Sequence, residues 1–97
     1  MTKSLINKMV LYTKTDCFLC RVAKDLLEGQ DIEYEVKDLE NAENLAEFQL
    51  LQLDFPELMG NTQMPVLWIQ DNSANGMIFT GKNVIDILEM ENKLNEV

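Results

Sequence analysis

Apolar positions along this chain change their period several times, and each change marks an element. Met9-Val10-Leu11-Tyr12-Thr13 is a short apolar, β-prone run, so residues 8–13 read as a strand centred on Val10 and Leu11. Just beyond, Leu19, Val22, Ala23, Leu26 and Leu27 recur at helical spacing. They predict a helix over about 17–28, with Gly29 as its stop. Ile32-Glu33-Tyr34-Glu35-Val36 then alternates strictly, the pattern of a strand with one wet face. Strand, helix and strand with short joins make a βαβ unit, whose parallel pair takes a right-handed crossover.

The second half repeats the alternation of elements with a different ending. From Asn41 to Leu53 the positions Ala42, Leu45, Ala46, Gln49, Leu50 and Leu53 suit an amphipathic helix with one polar interruption. Phe55-Pro56 and Gly60-Asn61 punctuate a loop that ends at Pro65. Val66-Leu67-Trp68-Ile69 is a buried strand by composition. The turn Asp71–Gly76 leads to Met77-Ile78-Phe79-Thr80, its hairpin partner. A last helix is predicted to start near Asn83 as cap, with Asp86 in its first turn and Val84, Ile87 and Leu88 on its apolar face. The order β-α-β-α-β-β-α implies an α/β fold, a four-stranded mixed sheet with helices on both faces.

Composition narrows the function. With 97 residues, 46% apolar and 26% charged, the chain has the size and balance of one globular domain, residues 1–97 with a core of about 8–94. No apolar run reaches the ~18 residues that span a bilayer, so no membrane association is expected. The start, Met1–Lys8, lacks an apolar signal region, and a cytoplasmic location is expected. The net charge of −9, from 17 acidic and 8 basic residues, argues against nucleic acid as partner. Eleven of the seventeen carboxylates lie between Asp25 and Glu57, a solvated acidic stretch, whereas Lys14, Arg21 and Lys24 surround the cysteines. A monomer is expected.

The chain has two cysteines, Cys17 and Cys20, two residues apart where the first strand meets the first helix. A thiol at a helix start faces unpaired backbone N–H groups and the positive end of the helix dipole, which favour thiolate. The thiolate is the nucleophile of disulfide exchange. Tetrahedral zinc needs four ligands, and the chain has no histidine and no third cysteine. Redox chemistry is the leading reading, with metal binding through a dimer or an external thiol as the competitor.

The run from Val10 to Leu27, with Cys17-Phe18-Leu19-Cys20 at its centre, resembles the opening of a dithiol glutaredoxin. Gln63-Met64-Pro65 before a buried strand is similar to that family's Thr-Val-Pro segment. The resemblance runs from about Lys8 to Leu94 and implies a thioredoxin-like (glutaredoxin) fold and thiol–disulfide oxidoreductase activity. It implies Cys17 as the nucleophile, exposed and with a lowered pKa, and Cys20, one turn further in and more buried, as the resolving thiol. Pro65 would be cis, with the Met64 backbone turned outward to pair with an extended thiol peptide. Lys14, three residues before Cys17, would bind a glutathione carboxylate and support the thiolate. Phe18, with Leu19, would form a docking rim, and Gly81 would lie before the last helix. No tightly bound cofactor is implied, and glutathione would be the co-substrate.

Two segments depart from that pattern and bear on the electron donor. Most glutaredoxins have Gly-Gly and an acidic pair before the last helix. Here the segment is Thr80-Gly81-Lys82-Asn83, with one glycine and no acid. Gln-x-Pro with Phe79-Thr80-Gly81 is closer to NrdH-type redoxins, which resemble glutaredoxins but draw electrons from thioredoxin reductase. Gly81, Lys82 and Asn83 therefore stand with Lys14, Phe18, Met64 and Pro65 as candidate binding residues. Disulfide-containing proteins are the expected clients, with ribonucleotide reductase a candidate by family analogy. An iron–sulfur carrier using Cys17 and glutathione across a dimer, and a non-catalytic binding module, are the remaining alternatives.

Overall fold

The structure, a computed structural model, describes residues 8–29, 33–60, 63–70 and 76–95. Its elements follow the predicted order: β1 (Lys8–Thr13), α1 (Phe18–Glu28), β2 (Tyr34–Asp38), α2 (Ala42–Asp54), a 3-10 turn (Pro56–Leu58), β3 (Val66–Gln70), β4 (Met77–Thr80) and α3 (Lys82–Asn95). The strands form one mixed sheet in the order β2-β1-β3-β4. β1 pairs parallel with β2 and antiparallel with β3, and β3 pairs antiparallel with β4.

Alternation along the central strands divides the interior into two layers. Met9 and Leu11 of β1 and Leu67 and Ile69 of β3 meet Ala23 and Leu27 of α1 and Val84 and Leu88 of α3. The intervening Val10 and Tyr12, with Val66, face Phe48 and Leu51 of α2 and Leu58 of the 3-10 turn. Tyr12 and Phe48 stack at a tilt, with ring centroids 5.2 Å apart. Both faces of the sheet are covered, as expected, and β1 and β3 are buried because they lie at its centre.

Four local expectations need correction. The second strand runs from Tyr34 to Asp38, and Ile32 lies outside the described residues. β2 is an edge strand, so its alternation does not sort into core and solvent. Val36 is 40% exposed, while the half-buried Lys37 reaches Glu47 of α2 at 2.8–2.9 Å and lies 3.9 Å from Glu35. Glu35 also pairs with Lys8 of β1. On α2 the buried positions are Phe48 and Leu51, whereas Leu50 and Leu53 are 66% and 70% exposed. The predicted stripe faces outward because Phe48 reaches Tyr12 and Leu51 joins the same cluster, and these contacts set the helix rotation.

The helix starts supply the remaining correction. Asn41 caps α2, its side-chain oxygen accepting from Glu43 N–H at 2.9 Å and Asn44 N–H at 3.1 Å. Asn83 does not cap α3. That helix begins at Lys82, no acid lies in its first turn, and the Gly81 carbonyl accepts the Val84 N–H at 3.1 Å. The loop before Pro65 contains the 3-10 turn, held by Gln52 Nε2 donating to the Leu58 carbonyl at 3.1 Å. Of the turn predicted over 71–76, residues 71–75 lie outside the described residues.

Candidate active site

The site grows from the β1–α1 connection. Thr13 ends β1 buried, and its carbonyl accepts the Leu39 N–H at 2.8 Å, tying the strand end to the β2–α2 connection. Lys14, Thr15 and Asp16 then turn the chain outward, with Asp16 at φ 57°, a left-handed conformation that Asp tolerates better than most residues. Cys17 follows as the N-cap of α1 in extended conformation. Its Sγ accepts the Cys20 N–H at 3.1 Å, and the Arg21 N–H donates to its carbonyl at 3.3 Å. A sulfur thus occupies the place where an oxygen cap usually sits, among the unpaired N–H groups of the helix start.

Cys17 and Cys20 are joined as a disulfide, with Cα atoms 5.2 Å apart. The two sulfurs are not equivalent. Cys17 is partly exposed, whereas Cys20 is 2% exposed, and Ala23 and Leu27 continue its buried line along α1. A reagent from solvent therefore meets Cys17 first.

A groove of about 470 Å³ opens beside Cys17, lined by Lys14, Asp16, Phe18, Leu19, Gln63 and Met64. Phe18 is 75% exposed at its edge, an apolar group left for a partner to cover. Lys14, Cys17, Phe18 and Met64 are thus brought together from separate segments. Pro65 lies buried, after a cis Met64–Pro65 bond. Its carbonyl accepts the Gly81 N–H at 2.9 Å, which fixes the start of α3 against this segment. Lys82 and Asn83 are exposed on the first turn of α3 and do not line the groove.

Gly81 shows why this junction needs glycine. It is buried at φ 57°, and a Cβ there would lie 2.6 Å from Gln63 Oε1 and 3.1 Å from Gln63 Cβ. The Gln63 side chain therefore lies directly over the residue that precedes α3. Sequence reasoning tied Gln63 to the choice of electron donor without placing it on the groove or against Gly81, and it did not single out Asp16. Asp16 carried a signal, an Asp in a tight turn next to Cys17. The position of Gln63 depends on a contact 18 residues away in sequence with Gly81, which no local pattern encodes.

Comparison with known proteins decides the family. The glutaredoxin family model matches residues 9–74, a span holding Lys14, both cysteines and Met64-Pro65. The chain belongs to the glutaredoxin family. No curated protein matches its sequence at a significant level. Among solved structures it is similar to that of the glutaredoxin-like protein NrdH-redoxin from Escherichia coli, with 22% identity and a TM-score of 0.55. That similarity covers 86% of this chain and 92% of the other. At this identity it establishes the thioredoxin-like fold. A glutaredoxin needs no tightly bound cofactor, and its Cys-x-x-Cys pair places this member among thiol–disulfide oxidoreductases. No described group of three Cys, Asp or Glu side chains could hold a metal ion, and no described helix is long and apolar enough to cross a membrane.

Proposed function

We propose that this glutaredoxin reduces disulfides of cytoplasmic proteins through Cys17 and Cys20, acting as a single domain. The supporting observation is the inequality of the two sulfurs: Cys17 opens on the groove at the helix tip, and Cys20 is buried one turn behind it. In the reduced protein the Cys17 thiolate attacks one sulfur of the client disulfide. A mixed disulfide forms, and the other client sulfur leaves as thiolate. Cys20 gives up its proton and attacks Cys17 Sγ, which releases the second client thiol and leaves the Cys17–Cys20 disulfide. Two electrons have passed to the client, and the protein waits for a reductant.

In this reading Lys14 supports the thiolate by its charge, and Phe18 and Met64 seat the client chain beside Cys17. The reductant we favour is a protein of the thioredoxin reductase type. Gln63 covers Gly81, and the exposed start of α3 carries Lys82 and Asn83 with no carboxylate in its first turn, so little is offered to an ammonium group there. The thioredoxin-like activity profile ascribed to the E. coli NrdH-redoxin fits the same reading. Glutathione is the second reading, favoured by the position of Lys14 beside Cys17. Ribonucleotide reductase is a candidate client.

A paired turnover assay on insulin disulfides separates these readings. One arm supplies NADPH with thioredoxin reductase, the other NADPH, glutathione reductase and glutathione. Turnover in the first arm alone is the expected result. Turnover only with glutathione would reverse the donor assignment, and none in either arm would remove the reductase reading.

A further inference from the structure

α2 leaves an apolar stripe in solvent and borders a groove that shares no lining residue with the Cys17 site. This second groove, about 240 Å³, is floored by Tyr12, Leu51 and Trp68 and rimmed by Glu47, Leu50 and Asp54. Beside it Leu53 continues the exposed stripe. Leucines concentrated along one face of a helix differ from apolar residues scattered singly over a surface, and they mark a place where another surface docks.

The rim also has a definite charge pattern. Glu47 and Asp54 stand seven residues apart, two turns of helix, with Leu50 and Leu51 midway. Their carboxylates are therefore separated by roughly 10 Å along α2. Glu47 already receives the Lys37 ammonium on both oxygens. Asp54 has no ion pair among the described residues and sits at the C-terminal end of the helix, where the macrodipole disfavours an acid. Asp54 is exposed and hydrated, and a cation brought from outside would complement its charge at this unfavourable helix end, beside the uncovered apolar face.

We infer that this groove docks a basic amphipathic helix of a partner protein, which sets two Lys or Arg residues one heptad apart against Glu47 and Asp54 and an apolar side chain between them. The length of a heptad matches the spacing of the two carboxylates, and the intervening side chain enters over Leu50, Leu51 and Trp68. The aliphatic stem of a partner arginine can also lie on Trp68. A second copy of this chain does not fit, because it would bring the same acids against themselves on a molecule of net charge −9.

Trp68 is the only tryptophan, so its fluorescence reports on the groove. The probe is an 18-residue helical peptide free of Trp and Tyr, with Lys at two positions a heptad apart and Leu at the third and fourth positions between them. A second peptide carries Glu in place of Lys. The Lys peptide is expected to shift Trp68 emission saturably, to bind more weakly as salt is raised, and to lose at least tenfold in affinity to the exposed-site variants Asp54→Lys and Leu50→Lys. Glu47→Gln is expected to weaken it less, since Glu47 is already paired. Both Lys variants should reduce insulin disulfides at the wild-type rate, so a failure here is separate from a failure of the reductase reading. An equal response to the Glu peptide, no response to either, or wild-type binding by Asp54→Lys would overturn the inference. So would a dimer seen by sedimentation that Leu50→Lys dissolves, since a second copy would then cover this face.

Discussion

Cys17 caps α1, and in the proposed mechanism it is also the nucleophile, two roles that are usually held by different side chains. Replacing its sulfur by oxygen, as in Cys17→Ser, keeps a capping acceptor at the same position, so the fold should be retained. Disulfide reduction should nevertheless fall to background, because a serine hydroxyl is a far weaker nucleophile than a thiolate at neutral pH. Cys20→Ser should stop protein-disulfide turnover and instead accumulate a mixed disulfide at Cys17, which mass spectrometry of the trapped adduct detects. Full reductase activity in Cys17→Ser would refute the assignment of the nucleophile. Gly81 tests the packing behind the groove. An alanine there keeps φ 57° at a cost of ~1–2 kcal/mol and drives its Cβ toward Gln63. Urea denaturation of Gly81→Ala should show that loss, and adding Gln63→Ala should recover only the steric part of it. Complete recovery would mean that the backbone conformation is not what selects glycine.

At the level of elements, α2 gives the sharpest contrast between pattern and packing. Phe48→Ala removes a ring stacked on Tyr12 and should cost ~3–5 kcal/mol in urea unfolding, whereas Leu53→Ala, on the exposed side, should change stability by ~0.5 kcal/mol or less. The reverse order would restore the face read from the sequence. That face was misread because α2 has two apolar sides, and periodicity finds a stripe without saying which one meets the sheet. β1, α1, β3 and α3 were legible because each has one dominant apolar pattern, with Gly29 marking the end of α1. β2 was legible in kind but shifted, since an edge strand hydrogen-bonds along one side and lets Val36 face water. The Cys17–Cys20 pair could be found in the sequence because it lies within one turn at a strand–helix junction, and the cis bond before Pro65 was found through the resemblance. Gln63 over Gly81 and the failed cap at Asn83 could not be found, because both depend on how the β4–α3 corner closes against a distant segment.

The whole molecule is acidic, yet its described ion pairs gather at one sheet edge, where Lys8 meets Glu35 and Lys37 meets Glu47 and Glu35. That arrangement makes the response to pH asymmetric. On the acid side, the hydrogen bond and charge of Lys8, with Lys37 beyond it, hold the Glu35 carboxyl below its ordinary value. This contribution is present above the usual Glu range of about 4.3 and disappears as pH falls through the lowered value, and exposure to solvent keeps it small. On the alkaline side the effect is larger. Burial, reinforced by Glu47 and Glu35, pushes the Tyr12 hydroxyl up to about 12. In the unfolded chain it ionises near 10. Between these two values the unfolded state holds fewer protons than the folded state, so stability falls with rising pH, by at most about 1.4 kcal/mol per unit for this one group. Lys37, raised chiefly by its hydrogen bond to Glu47, adds a loss of the same sign above its own ordinary value. Urea unfolding of the wild type and Tyr12→Phe at pH 8, 10, 11 and 12 isolates the tyrosine. The two proteins should follow parallel courses up to about pH 10 and then diverge, with wild-type stability falling more steeply, since Phe has no proton to lose. Parallel slopes above pH 10 would show that the Tyr12 hydroxyl ionises as readily in the folded protein as in the unfolded chain, and that burial at the centre of the sheet does not hold it neutral.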